Sequence, residues 1–142
     1  MYDLTTEDRL DLHELVARIT HAIDFSNPDA VAELFTPDGV MQGEESPRKG
    51  GGVRYRSQGR EELRTYIAAA VEKRPVRGRH WTSNVVIEPS ETGAVGTSYL
   101  IFLTIDPQNS TSSILLTAVH HDQYLKTTDG WKFAKRTIIF DT

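Results

Sequence analysis

The chain reads as an α+β fold in which three N-terminal helices pack on a curved, mostly antiparallel sheet that forms a cone with an internal pocket. Two observations predict it. Apolar residues recur at helical spacing as far as Lys73, and from His80 onward four long segments rich in Val, Ile, Thr and aromatics follow one another, separated by short turn clusters. Helices followed by an antiparallel meander must bury the apolar stripes of the first against one face of the second. With 142 residues, a single domain over 1–142 is expected.

The first helix starts at Thr5 or Thr6, hydroxyl caps followed by Glu7 and Asp8, whose charge suits the positive end of the helix dipole. Leu12, Leu15, Val16, Ile19 and Ile23 then form one stripe. Asn27-Pro28 caps and opens a short second helix through Ala30, Val31, Leu34 and Phe35, and Pro37-Asp38-Gly39 is the turn expected to end it. Residues 40–42 read as a short strand. Residues 43–58 are polar and carry Gly50-Gly51-Gly52, a flexible loop or hairpin tip. A third helix spans about 60–73, with Leu63, Tyr66, Ile67 and Ala70 on one face and Pro75 closing it. Strands are expected at 80–88, 94–105, 113–126 and 131–140. Leu12, Leu15, Ile19, Ile23, Leu34, Phe35, Leu63 and Ile67 should pack on the concave side of a sheet made from these four.

Composition narrows the function classes. A formal charge of −4 and scattered basic residues argue against nucleic-acid binding, which needs a concentrated Lys/Arg surface. Arg74, Arg77 and Arg79 form the densest basic group and read as a solvated turn. The absence of cysteine removes thiolate metal sites and cysteine nucleophiles. No His-x-x-x-His pair occurs, and the neighbours His120-His121-Asp122 point to alternate faces of a strand, so no metal is expected. There is no phosphate loop, no Gly-x-Ser-x-Gly elbow and no dinucleotide fingerprint, so no cofactor is expected either. Residues 1–6 lack a basic and apolar leader and no apolar run approaches a membrane span; a cytoplasmic protein without membrane contact is the expectation.

Three residues far apart in the chain carry the chemistry: Asp24 at the end of the first helix, His80 opening a strand, and Arg136 in the last strand. An imidazole can take a proton near neutral pH, and a carboxylate on its other ring nitrogen fixes the tautomer and stabilises the imidazolium. Asp24 lies on the flank of the Ile19–Ile23 stripe and so faces inward, although the residues alone also allow a helix-ending Asp24 and an inert strand histidine. Ile138 and Phe140 share the Arg136 face, with Lys132 and Ala134, while Trp131, Phe133 and Thr137 fall on the other parity. Arg136 is thus either a snorkelling surface residue or a donor preorganised for an oxyanion. The face with Trp131 and Phe133 is expected to be exposed.

Asp24, Leu34-Phe35-Thr36-Pro37-Asp38-Gly39, Gly59-Arg60-Glu61-Glu62-Leu63, His80-Trp81-Thr82-Ser83-Asn84 and Gly130-Trp131-Lys132-Phe133-Ala134-Lys135-Arg136 resemble the SnoaL-like branch of the nuclear transport factor 2-like superfamily. That branch includes scytalone dehydratase, bile-acid dehydratase, hexachlorocyclohexane dehydrochlorinase and polyketide cyclases. The resemblance implies that Asp24 and His80 form the Asp–His dyad of the lyase members and that Arg136 matches an arginine of two of them. It also places His120 and Leu116 on the pocket side. This chain has Ile19 where the dehydrochlorinase has a pocket lysine, Ile23 where scytalone dehydratase has a tyrosine, and Met41 where several members have an aromatic residue. Ile19, Met41, Leu116, His120, Ile138 and Phe140 are therefore the expected substrate-binding residues. His13 and His21 are expected on the surface or between helices. The function implied is a cofactor-independent lyase or isomerase acting on a small, apolar, oxygenated molecule such as a polyketide, terpenoid or steroid. A non-catalytic small-ligand-binding domain and an aldol-type cyclase are the alternatives. Because members of the superfamily commonly pair sheets, the resemblance also implies a homodimer or homotrimer, for which the face with Trp131 and Phe133 is the candidate surface.

Overall fold

The computed structural model describes residues 1–74 and 77–142. Helix α1 (Thr6–Asp24) begins on Thr5, whose side chain accepts from the Asp8 N–H while the Asp8 carboxylate accepts from the Thr5 N–H, a reciprocal cap. The same carboxylate then leaves the helix. It accepts from Trp131 Nε1 at 2.8 Å and Lys126 Nζ at 2.6 Å, which pins the start of α1 to the last two strands. Those donors, Lys126 first, hold Asp8 well below the usual carboxylate range despite its burial.

Helix α2 (Pro28–Glu33) is capped by Asn27, and α3 (Arg60–Glu72) packs on it; the expected closure of α3 at Pro75 lies outside the described residues. The strands are β1 (Phe35–Glu44), β2 (Val53–Gln58), β3 (Arg77–Pro89), β4 (Ala94–Asp106), β5 (Thr111–Thr127) and β6 (Gly130–Phe140). They form one open mixed sheet in the order β2-β1-β6-β5-β4-β3, parallel only between β1 and β6. The α+β class stands. Leu12, Leu15, Ile19, Phe35, Leu63 and Ile67 are buried in the core, with Ile23 and Leu34 half-buried against it.

Three expectations are corrected. The sheet has six strands, because 53–58 pairs with β1 as a hairpin and leaves only a short connection holding a 3-10 turn, Pro47–Lys49. Phe35 belongs to β1, with its ring 5.2 Å from Phe133, and Pro37-Asp38-Gly39 is an irregularity within that strand. Contact across the sheet has overridden the local helix and turn signals. Third, Trp131 and Phe133 are buried, not exposed. Tyr124 pairs with Phe133 but Gln123 pairs with Lys135, so β6 carries an extra residue at Ala134 and its side-chain parity flips there. Trp131, Phe133 and Arg136 all face the core as a result. Most of the large exposed apolar residues of this sheet are instead on β3, β4 and β5, among them Trp81, Tyr99 and Ile114.

In the connection before β2, Gly50, Gly51 and Gly52 all have positive φ and open space where a side chain would be. Amide exchange there is expected to outpace that of β5. Equal protection in hydrogen-exchange mass spectrometry would contradict this.

Candidate functional site

A cavity of about 200 Å³ lies between α1, α3 and the concave face of the sheet. Its walls are mostly apolar. Ile19, Met41, Leu116, His120, Arg136, Ile138 and Phe140 line it, as does His80.

Asp24 is the last residue of α1, and that helix runs along edge strand β3. A carboxylate at a helix C-terminus is disfavoured by the dipole, so its position needs compensation. His80 supplies it twice. The His80 backbone N–H donates to Asp24 Oδ2 at 2.9 Å, and His80 Nδ1 lies 2.6 Å from Asp24 Oδ1. The carboxylate thereby keeps the ring proton on Nδ1 and leaves Nε2 with a lone pair. His80 is the fourth residue of β3, which starts at Arg77 and not at the histidine. Its ring rests 4.5 Å from Phe102, and that placement depends on Gly78: a Cβ there would come within 2.2 Å of Phe102 Cζ.

Arg136 does not snorkel. It is 2 % exposed, and its Nε and Nη2 donate to Asp122 Oδ1 and Oδ2 at 2.8 and 2.7 Å. Tyr124 donates its hydroxyl to the same carboxylate at 2.8 Å, and the guanidinium lies over the Phe133 ring. Burial opposes the charge of Arg136, but Asp122 offsets this and the group stays protonated. With two nitrogens held, Nη1 is the donor that has no protein partner among the described residues. Asp122 is a side chain that sequence reading missed; only its even spacing from His120 on β5 signalled the shared inward face.

His120 is buried and His121 exposed, on opposite faces as expected, and His13 and His21 are exposed. His120 Nδ1 lies 3.3 Å from Ser98 Oγ. Burial first, then the nearby positive Arg136, pushes its pKa well below 6.5, so it stays neutral where a free histidine would charge. Below 6.5 the unfolded chain binds a proton at this position that the folded chain refuses, so stability falls as pH drops toward the lowered value. A loss on the order of 1 kcal/mol per pH unit in that window is expected from urea unfolding. In His120→Gln this slope should vanish; an unchanged slope would contradict the assignment.

Tyr55 also escapes sequence reading, which puts Tyr66 on the packing face of the third helix but not in the site. Their rings stack with centroids 4.6 Å apart, and both residues line the cavity. The available signal was Gly43, which pairs with Tyr55 and lets the ring lie across it; a Cβ at 43 would meet that ring at 2.2 Å. Burial pushes both phenols above their usual range, so they remain neutral hydrogen-bonding groups. Among the described residues no group of three or more His, Cys, Asp or Glu side chains could hold a metal ion, and no helix is long and apolar enough to cross a membrane.

An open mixed sheet with helices on one face and a pocket between them is the cystatin-like, nuclear transport factor 2-like fold, as in similar solved structures. The sequence matches the SnoaL-like domain over residues 4–137, and the chain belongs to that family. Similar solved structures include a Mycobacterium tuberculosis protein of unknown function, Rv3472, at 25% identity and TM-score 0.80, covering 94% of this chain and 72% of that one. A Nostoc punctiforme protein of unknown function with a cystatin-like fold is 27% identical, with TM-score 0.80 and coverage of 99% and 96%. A Catenulispora acidiphila protein in complex with S-DNPA shares the fold at 22% identity and TM-score 0.81, with 96% of each chain covered. Among curated proteins none matches.

Proposed function

We propose that this protein is a cofactor-independent lyase or isomerase in which the Asp24–His80 dyad removes an acidic C–H proton from a small, largely apolar, oxygenated substrate. One observation carries the reading: both oxygens of Asp24 are committed to His80, whose other ring nitrogen has no protein partner among the described residues and lies on the wall of an apolar cavity. His80 Nε2 takes the proton α to a carbonyl, and Asp24 stabilises the imidazolium formed. The developing enolate oxygen is met by Arg136 Nη1 or by neutral His120. In a dehydration the C=C bond forms as hydroxide leaves the β-carbon, and the imidazolium returns its proton to that hydroxide, releasing water and restoring the base. An isomerisation would return the proton to carbon instead. The cavity is smaller than the roughly 300–1,000 Å³ of drug-sized pockets, which favours one- or two-ring polyketide or terpenoid skeletons over a steroid.

One feature favours the non-catalytic binding reading. Two of the three guanidinium nitrogens of Arg136 are taken by Asp122, and Ile19 and Ile23 add no acid to the wall. An aldol-type cyclase would use the same base. Incubating the protein in D2O with one- and two-ring β-hydroxy ketones tests the proposal. Deuterium wash-in α to the carbonyl, or loss of water, above the buffer rate is expected. Compounds that bind without exchanging would leave only a binding domain.

A further inference from the structure

Three arginines line a groove that adjoins the cavity through Arg74. Arg74 follows α3, and Arg77 and Arg79 flank Gly78 in β3; with Asp24, Phe25 and Ser26 they line a groove of about 520 Å³. Neither strand arginine sits in the turn that their sequence spacing suggested. Arg74 belongs to both spaces, since it lines the groove and the cavity, and its guanidinium lies 5.1 Å from the centre of the Phe102 ring that supports His80.

These charges are poorly compensated. Arg18, Arg54, Arg60, Arg64 and Arg136 each meet a carboxylate; among the described residues Arg74, Arg77 and Arg79 meet none within 4.0 Å, as is true of the scattered Arg9, Arg48 and Arg56. Arg79 hydrogen-bonds only the adjacent Gly78 carbonyl and lies over the Phe25 ring. Among the described residues the one carboxylate lining the groove is Asp24; its charge favours that of nearby Arg74, but both its oxygens are held by His80. A local excess of positive charge on a chain of net charge −4 marks a place where an anion is attracted. Arginine forks suit the planar or tetrahedral oxygens of carboxylate and phosphate, and Arg74, half-buried, gains most from a partner that replaces its lost water.

We propose that this groove binds an oxyanion, a carboxylate or phosphate, at one end of the substrate while the apolar body enters the cavity. The inference rests on the small-molecule reading of the cavity and adds a charge to the substrate class. Held at Arg74, the anion would fix the depth of the apolar part against His80.

Calorimetric titration with octan-1-ol, octanoate and octyl phosphate, on the wild type, Arg74→Gln and the double variant Arg77→Gln/Arg79→Gln, separates charge from apolar burial. The wild type should prefer at least one anion over the alcohol by about tenfold or more, and the better anion identifies the headgroup. Each variant should lose most of that preference while keeping its affinity for the alcohol, and added salt should weaken only the anions. Equal affinity of the wild type for all three ligands would overturn the subsite and leave the cavity reading intact. So would an anion preference that survives in both variants, or a variant that loses alcohol and anion alike. If none of the three binds, the cavity reading falls and the subsite with it.

Discussion

Asp24→Asn leaves the protein folded and lowers proton removal from a true substrate by roughly 10²–10⁴-fold. The size follows from the two contacts of Asp24. The His80 backbone N–H, 2.9 Å from Oδ2, can only donate, so the amide oxygen of an asparagine must face it. That orientation turns the amide NH2 toward His80 Nδ1, 2.6 Å away in the native pair, and a donor there forces the ring proton onto Nε2. The base is then blocked by its own proton. His80→Ala should do at least as much damage. The double variant should be little worse than the poorer single one, because the two residues act as one unit. Single variants that turn over a true substrate at the native rate would sink the lyase reading and leave a binding domain.

Asp122→Ala should cost about 3–5 kcal/mol of folding stability, because it leaves a buried guanidinium uncompensated. Arg136 is 2 % exposed and Asp122 likewise, and the pair is bidentate, with Tyr124 donating to the same carboxylate. Arg136→Met should be similarly damaging, since it strands a buried carboxylate with one hydroxyl donor. Replacing both, as Asp122→Leu with Arg136→Met, removes the charges together and should recover much of the loss. Urea unfolding of the three variants at neutral pH measures this. Additive losses in the double variant would show that the pair is not coupled.

The elements were legible wherever local chemistry and tertiary packing agreed. Thr5 and Asn27 cap the helices expected of them, and the apolar stripe Leu12, Leu15, Val16 and Ile19 is buried. The errors came where a partner outweighed the local signal. Phe35 continued a helical pattern but pairs with Phe133 in the sheet, and Trp131 and Phe133 alternated with Arg136 until an extra residue at Ala134 brought all three to one face. No propensity reveals such a bulge, because it exists only in the register of two strands.

The sequence by itself determined an α+β chain, the positions of its helices and long strands, and the residue types able to move a proton: a helix-ending carboxylate, a strand imidazole and a late arginine. Only the tertiary structure decided how they meet. It set Asp24 on His80 through both ring and backbone, took Arg136 largely into a pair with Asp122, laid Tyr55 across Gly43, and brought Arg74, Arg77 and Arg79 to one groove. The physical reason is range: caps and periodicity act over a few residues, whereas a contact such as the 56-residue separation between Asp24 and His80 depends on strand register and helix placement that no local segment encodes.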